Sequence, residues 1–513
     1  MQKQDTNIVF KDYDNNQLML LPQSLEELLP LSHPARTVNS IIDRINMGSI
    51  LDHYSTLGAS SYHPKMLMKV LIYGYLDNCF SSRKIEKSIK ESIPFMWLAG
   101  MQRPDHNTIN RFRSAKLNGV IREVFSQVVL LLHDEGLLDI KDIYTDGTKI
   151  EANANRYTFV WGNTIKTNKE KISSQLQQLW DYAKKIATQE LEDQPEDFKN
   201  PSPEKVIQTV DKINKALEGK KADKKVRQKL NYAKRNWPEK LQEYAKKEEI
   251  LQGRNSFSKT DEGSTFMRMK EDHMKNGQLK PGYNLQLSTS KQFVVNYSVH
   301  QNPGDTITLK PHLEAYKSMF GHHPDTVTAD AGYGSEENYD YLEKNGVDAY
   351  VKFNTFHKEL RDKKKRKKTF TLLENLHYNQ EDDTYTCPIG QKMTKINQVH
   401  RKTSTGYIQQ YTYYMARNCQ GCPLAGSCKK GAGNKILKIN KKLEEYRNKA
   451  RAKLTSETGI QKRKQRATDV EPVFGHFKQN KGLKRYALRG LEKVEIETGL
   501  AVIAHNLEKA SRK

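Results

Sequence analysis

Two short β-branched runs constrain this chain more than any other feature: Asp142-Ile-Tyr-Thr-Asp146-Gly-Thr-Lys-Ile-Glu151 and Asp325-Thr-Val-Thr-Ala-Asp330-Ala-Gly-Tyr-Gly334. Each carries an aspartate at the end of a strand-like stretch and follows it with small residues. Aspartate is depleted in strands, so its placement needs a reason. Asp146-Gly147 taken alone is also a two-residue hairpin signal, and an aspartate in such a turn needs no chemistry. A hairpin does not explain why the pattern recurs far along the chain, whereas two carboxylates meeting at neighbouring strand ends does.

Composition bounds the partners. The 513 residues suffice for about three domains. Lys and Arg number 85 against 61 Asp and Glu, a formal charge of +24. A field of that sign attracts polyanions, of which nucleic acid is the commonest long one. No apolar run approaches the ~20 residues of a membrane span; the longest is Val128–Leu132. The polar stretch Met1–Lys11 lacks the layout of a signal peptide. Five cysteines in so long a chain make no disulfide scaffold, so the expected home is a reducing cytoplasm without membrane attachment.

Residues 1–135 read as a helical domain. Leu67, Val70, Leu71 and Leu76 follow Pro64 at helical spacing, Ile85 and Ile89 lie one turn apart, and Asp105 to Thr108 supply caps for a third helix bearing Arg111 and Arg113. Short helices with arginines suit a DNA-docking module and equally an ordinary helical domain with solvated basic faces. Residues 165–255 turn Lys-rich and Gln-rich. Ile172, Leu176, Leu179, Ala183 and Ile186, then Val206, Val210, Ile213 and Leu217, then Val226, Leu230, Ala233 and Trp237 keep the stripe of antiparallel helical arms. That segment interrupts a domain as a coiled-coil-like insertion.

From 256 to 353 the pattern is β-rich. Gly282–Ser290 alternates with a period of two and Phe293–His300 follows a short turn; then come a helix to Met319, the Asp330 strand, a helix from Glu336 and a closing strand Ala349–Phe353. With 136–164 and 455–513 this predicts a mixed α/β sheet in which the Asp146 and Asp330 strands adjoin. Residues 354–454 form a second insertion, opening on the basic run Lys363–Lys368 and carrying Cys387 and Cys419-Gln-Gly-Cys422-Pro-Leu-Ala-Gly-Ser-Cys428. Four thiolates suffice for a tetrahedral structural Zn²⁺ site; reduced, unliganded thiols are the alternative. Cys79, in a predicted helix, reads as a buried small residue.

The strand order and its aspartates resemble the ribonuclease H-like fold of the DDE transposases. Thr468-Asp-Val-Glu471-Pro-Val-Phe-Gly475-His-Phe-Lys478 resembles the late helix of bacterial insertion-sequence transposases, including a Lys seven residues after the Glu. The helices from Tyr62 to Arg113, Gly282-Tyr-Asn-Leu-Gln and Asp330-Ala-Gly-Tyr are similar to one subgroup of that family. One departure is visible: relatives often carry Arg four residues before the Glu, where this chain has Ala467 with Arg466 beside it.

The resemblance implies that Asp146, Asp330 and Glu471 are the catalytic acids and hold Mg²⁺ or Mn²⁺. Two divalent cations about 3.5 to 4 Å apart stabilise both the attacking and the leaving oxygen of an in-line phosphodiester displacement. Glu492, Glu495 and Glu497 are rivals to Glu471 without its Lys spacing. On an α-helix Glu471, Gly475 and Lys478 share a face, with Gly475 admitting a nucleic-acid backbone and Lys478 holding a phosphate. Arg466, Arg485, Arg489, Arg111 and Arg113 extend the expected nucleic-acid-binding surface, and Lys481-Gly482 is expected to cap the helix. The implied activity is DNA cleavage at element ends followed by strand transfer, by a homodimer on double-stranded DNA in a bacterial, nucleoid-associated setting. A ribonuclease H-like nuclease without strand transfer and a non-catalytic DNA-binding regulator on the same scaffold are the alternatives.

Overall fold

The computed structural model describes residues 24–54, 61–187, 191, 198–269, 277–362 and 373–512. The stretch Met1–Lys11 and the basic run Lys363–Lys368 lie outside the described residues. The N-terminal part is helical: α1 (Pro34–Arg44), α2 (Gly48–Leu51), α3 (Pro64–Leu76), α4 (Ser82–Glu91), α5 (Ile93–Leu98), α6 (His106–Arg111) and α7 (Ile121–Asp134). Pro64 opens α3 where no N–H is required, and the His63 ring accepts from the Lys65 N–H. Asp105 caps α6 by accepting from the Thr108 N–H.

Next come β1 (Asp142–Glu151), β2 (Phe159–Trp161), α8 (Gly162–Ile186), α9 (Pro203–Ala216), α10 (Lys224–Leu251), β3 (Ser256–Ser258), β4 (Thr265–Arg268), β5 (Leu279–Ser290), β6 (Phe293–His300), α11 (Leu309–Phe320), β7 (Thr326–Ala329), α12 (Glu336–Lys344) and β8 (Asp348–Val351). One sheet runs β4-β5-β1-β7-β8, with β6 also paired to β5. β1, β7 and β8 are parallel, and β5 is antiparallel to β1. The insertion α8–α10 leaves and returns through the β2–β3 ladder, Phe159↔Ser258 to Trp161↔Ser256. It has its own core of Leu176, Trp180, Val210, Ile213, Leu230 and Trp237. Its three stripes are those read in the sequence, because antiparallel helices have nothing but each other to bury them against.

Asp146 does not end a strand. β1 runs on to Glu151, paired with β5 from Tyr144↔Thr289 to Glu151↔Gly282, so Asp146-Gly147 forms no hairpin. What stops there is the pairing with β7, whose last register pair is Thr145↔Ala329. Asp146 and Asp330 are therefore the next residues along two adjacent parallel strands. Gly147 fits this position because Gln286, its partner across β5, fills the space a Cβ would need.

The remainder comprises α13 (Phe356–Arg361), β9 (His377–Asn379), β10 (Thr384–Thr386), β11 (Lys392–Lys402), β12 (Ile408–Ala416), α14 (Ala425–Cys428), β13 (Ile436–Ile439), α15 (Lys441–Thr455), α16 (Glu457–Gly475) and α17 (Leu491–Ala510). Strands β13-β12-β11-β10-β9 form a second, antiparallel sheet. α17 is the central helix: Val494, Leu500 and Val502 are buried in one core with Val70 of α3, Phe125 of α7 and Tyr297 of β6. That core fuses the helical part to the first sheet.

The motif after β7 shows why small residues follow Asp330. A Cβ at Gly334 would fall on the Lys352 carbonyl oxygen and lie 2.9 Å from the Phe353 Cα, both backbone of the segment following β8. Neither atom can yield without disturbing the β7–β8 edge. Gly334→Ala is expected to cost about 1–3 kcal/mol, read as a lowered midpoint in thermal unfolding. Gly475→Ala, where an added Cβ meets nothing within 4 Å, is the matched control and leaves the midpoint unchanged or higher.

Candidate active site

A single guanidinium connects the three expected acids. Arg466 Nη2 stands 3.1 Å from Asp146 Oδ2 and 4.0 Å from Asp330 Oδ2, and Nη1 stands 3.1 Å from Glu471 Oε1. Asp146 and Arg466 are 8% and 7% exposed, so their pairing takes place largely out of water. The other oxygens are fixed by backbone: Asp146 Oδ1 accepts from the Gly147 N–H and Asp330 Oδ1 from the Gly332 N–H, each at 2.8 Å. Asp330 thereby caps the short 3₁₀ turn Ala331–Tyr333. Of the rival acids, Glu495 pairs with Arg122, and Glu497 is buried and accepts the Ala487 and Leu488 N–H groups.

The position of Glu471 follows from a proline. Pro472 lies inside α16 and has no N–H, so the Thr468 carbonyl one turn earlier has no helical donor. Gln292 supplies one: its Nε2 donates to the Thr468 carbonyl at 2.9 Å, and its backbone N–H donates to Asp469 Oδ1 at 3.0 Å. Gln292 can present both groups because Lys291 and Gln292 adopt φ of 51° and 64° in the tight β5–β6 turn. The helix is thus pinned to the sheet within three residues of Glu471. At its start Ser456 caps α16 through the Gly459 N–H.

Several expected DNA contacts stand elsewhere than the sequence suggests. α16 passes into a π-helical turn, His476–Asn480, whose extra residue rotates Lys478 inward, 8% exposed, away from the exposed face of Glu471 and Gly475. Arg113 lies in a similar turn, Phe112–Lys116, and is 4% exposed; it donates to the Phe80 carbonyl at 2.7 Å and to Asn110 Oδ1 at 3.2 Å. Its charge serves the core of the helical part rather than a surface. Arg466 likewise faces inward, from the residue beside Ala467. Arg485 donates to the Ala152 and Ala154 carbonyls and Arg489 to the Asn153 carbonyl, so both clamp the chain as it leaves β1, although they are exposed. Arg111 is exposed. Gly482 takes φ 66° after the π turn, the left-handed residue expected there.

Three residues that sequence reading passed over border the cluster. Asp305 accepts from Asn284 Nδ2 at 2.8 Å and from Gln286 Nε2 at 3.1 Å. Tyr333 donates to Gln286 Oε1. Burial, and then Asp146, Asp305 and Asp330, hold its phenol well above the ordinary value, so it stays protonated as that donor. Lys352 follows β8, and its pKa is lowered by burial and by Arg466, with Asp330 and Glu471 opposing. The signal for Lys352 is its place just past the carboxyl end of a parallel strand, where ligand-facing residues of such sheets collect.

The donor set suits a divalent cation. Three hard carboxylates from β1, the end of β7 and α16 surround a position that already holds positive charge, and Arg466 Nε there has no hydrogen-bond partner. Among the described residues no three His, Cys, Asp or Glu side chains are already gathered as ion ligands; the three carboxylates face Arg466 instead. Removing that charge exposes the acids to one another. Arg466→Gln is expected to destabilise the chain by up to about 3 kcal/mol in metal-free buffer. Added Mg²⁺ should recover much of the lost thermal midpoint in Arg466→Gln and shift the parent chain less.

Residues 386–511 match the family model of a transposase DDE domain, and residues 23–115 that of a transposase domain (DUF772). The first match takes in Glu471 and the four clustered cysteines but neither aspartate. No curated protein and no solved structure matches the chain. Among the described residues no helix is long and apolar enough to cross a membrane. Two transposase models on one chain, one over the N-terminal helices and one running from the end of β10 to the end of α17, support a DDE transposase of insertion-sequence type.

Proposed function

We propose that this transposase cleaves phosphodiesters at the ends of a mobile DNA element and joins the freed 3′-hydroxyl to target DNA in the same site. The observation that carries this reading is the convergence of Asp146, Asp330 and Glu471 on one guanidinium. Asp146, the most buried of the three, would hold a divalent cation together with Asp330 and Glu471. Mg²⁺ or Mn²⁺ bound there supplies positive charge to the oxygens of an in-line displacement. Arg466 holds the three acids in register by charge. Lys352, on the same rim, offers a cation to a phosphate oxygen. Gly475 keeps the exposed face of α16 open to a nucleic-acid backbone.

The excess of basic residues supplies the salt-dependent part of DNA affinity, and the N-terminal helices read the terminal repeats. Two ends held together call for a homodimer on double-stranded DNA. The test uses, with Mg²⁺, an uncut element end to read cleavage and, beside a second duplex, an end with a pre-cut 3′-hydroxyl to read joining. The parent chain is expected to cleave the first and to join the second to the duplex. Asp146→Asn, Asp330→Asn and Glu471→Gln are each expected to lose at least about a thousandfold in both cleavage and joining, with thermal unfolding still cooperative. Cleavage without joining would instead mark a nuclease, and cleavage that survives Asp146→Asn would remove Asp146 from the site.

A separate measurement addresses Gly475. Gly475→Ala should weaken binding to element-end DNA several-fold while leaving folding intact. Unchanged affinity would mean that the DNA backbone does not approach this face.

A further inference from the structure

The antiparallel sheet β9–β13 has a small core for its span: Tyr385, Met393, Tyr414, Ala416, Leu437 and Ile439 are its buried apolar residues, with Cys387 and Cys419 packed at the edge. Small modules of this kind commonly gain stability from a metal or a cross-link. Four of the five cysteines lie at one end of the sheet, and the fifth, Cys79, is buried in the helical part.

Two of the four sit in turns that aim a backbone N–H at the sulfur. Cys387 opens the turn from β10 into β11: its N–H donates to the Gln391 carbonyl at 2.8 Å, and Gln391 returns its own N–H to Cys387 Sγ at 3.3 Å. Gly390 closes that turn at φ 85°, a conformation that glycine adopts without strain. Cys419, beyond β12, accepts the Lys435 N–H on its Sγ at 3.3 Å. Gly421 at φ 70° then folds the chain back between Cys419 and Cys422, and Cys428 ends α14.

All four cysteines line one cavity of about 20 Å³, room for a single water-sized body. Lys429 and Lys435 border it. Lys435 Nζ is tied to the Cys428 carbonyl at 2.6 Å, so a fixed positive charge stands beside the thiols.

We propose that Cys387, Cys419, Cys422 and Cys428 form a structural zinc site that fastens the β10–β11 turn to the segment between β12 and β13. Four thiols lose their protons to solvent and bind one Zn²⁺, giving a net charge of −2 that the flanking lysines offset. Thiolates select a soft or borderline ion, so this site is distinct in chemistry from the oxygen-lined acid cluster. The four residues line a common cavity without three of them yet standing as a ready ligand set, so binding draws the two segments together.

The experiment uses the full chain and needs no DNA. Purified from zinc-replete medium and passed over a chelating column, it is expected to retain one zinc per chain by elemental analysis and to release it on titration with an organomercurial. Exchange with Co²⁺ is expected to give sulfur-to-cobalt absorption in the near ultraviolet and the intense visible bands of a tetrahedral ion. Cys422→Ser should lose the metal and the bands, Cys79→Ser should keep both, and Asp146→Asn should keep both while losing cleavage. The proposal is overturned by a parent chain that holds no zinc and gives no cobalt bands, by a disulfide among the four cysteines, or by rapid reaction of all four with a thiol reagent in the native zinc-supplied chain. Because the readouts are spectroscopic, they stand or fall independently of the transposition reading.

Discussion

The contact between the Arg466 guanidinium and three carboxylates is the interaction around which this molecule is arranged. A carboxylate and a guanidinium about 4 Å apart attract by roughly 4 kcal/mol at an effective dielectric of 20, whereas a buried cation without partners costs several kcal/mol. Asp146 is the buried partner of that cation, and Asp330 and Glu471 add to it from the more exposed side. The three acids come from β1, from the residue that follows β7, and from α16, and each is held by something other than Arg466. Backbone N–H groups fix the two aspartates, and Pro472 together with Gln292 fixes the helix of the glutamate.

Gln292 has a larger part than its place in a surface turn suggests. Besides its two contacts to α16, its carbonyl accepts from His505 Nε2 at 2.9 Å and its Oε1 accepts from Lys509. A two-residue turn in left-handed conformation thus links the end of the β5–β6 hairpin to α16 and to α17. The acid cluster is in this way tied to α17, whose Val494, Leu500 and Val502 lie in the main core. Charge fixed in advance in a partly dry setting costs no reorganisation when further charge arrives there.

The two insertions stand apart from this machinery in different ways. α8–α10 bury their stripes in a separate core and rejoin the sheet through the β2–β3 ladder, so the sheet keeps its pairing on both sides of the excursion. The cysteine-bearing sheet is bound to the first one by polar links: Glu336, at the start of α12, accepts from Tyr407 and from Asn440, and Asp340 accepts from Lys442 and Tyr446. α15 and α16 then lead from that sheet directly to Glu471.

Much of this was legible in the linear chain, and the reason is periodicity. The helical stripes of the insertion, the alternation of β5 and β6 and the capping residues of α3 and α6 are local signals that neighbours in space do not override. The strand pairing that sets Asp146 beside Asp330 was also within reach, since two short runs with the same ending are hard to place otherwise. The direction in which a side chain points was not. The π-helical turns at Phe112–Lys116 and His476–Asn480 add a residue to one turn and rotate Arg113 and Lys478 inward, and composition carries no sign of them. In the sequence Asp146 looks like the end of a strand, yet β1 continues to Glu151, because the end belongs to β7 and not to β1. The role of Arg466 at the centre of the acids, and of Lys352, Asp305 and Tyr333 around them, depends on which strand ends face one another. Residue types and spacing determined the elements; only the assembled sheet, through long-range electrostatics and packing between distant segments, decided which charges meet.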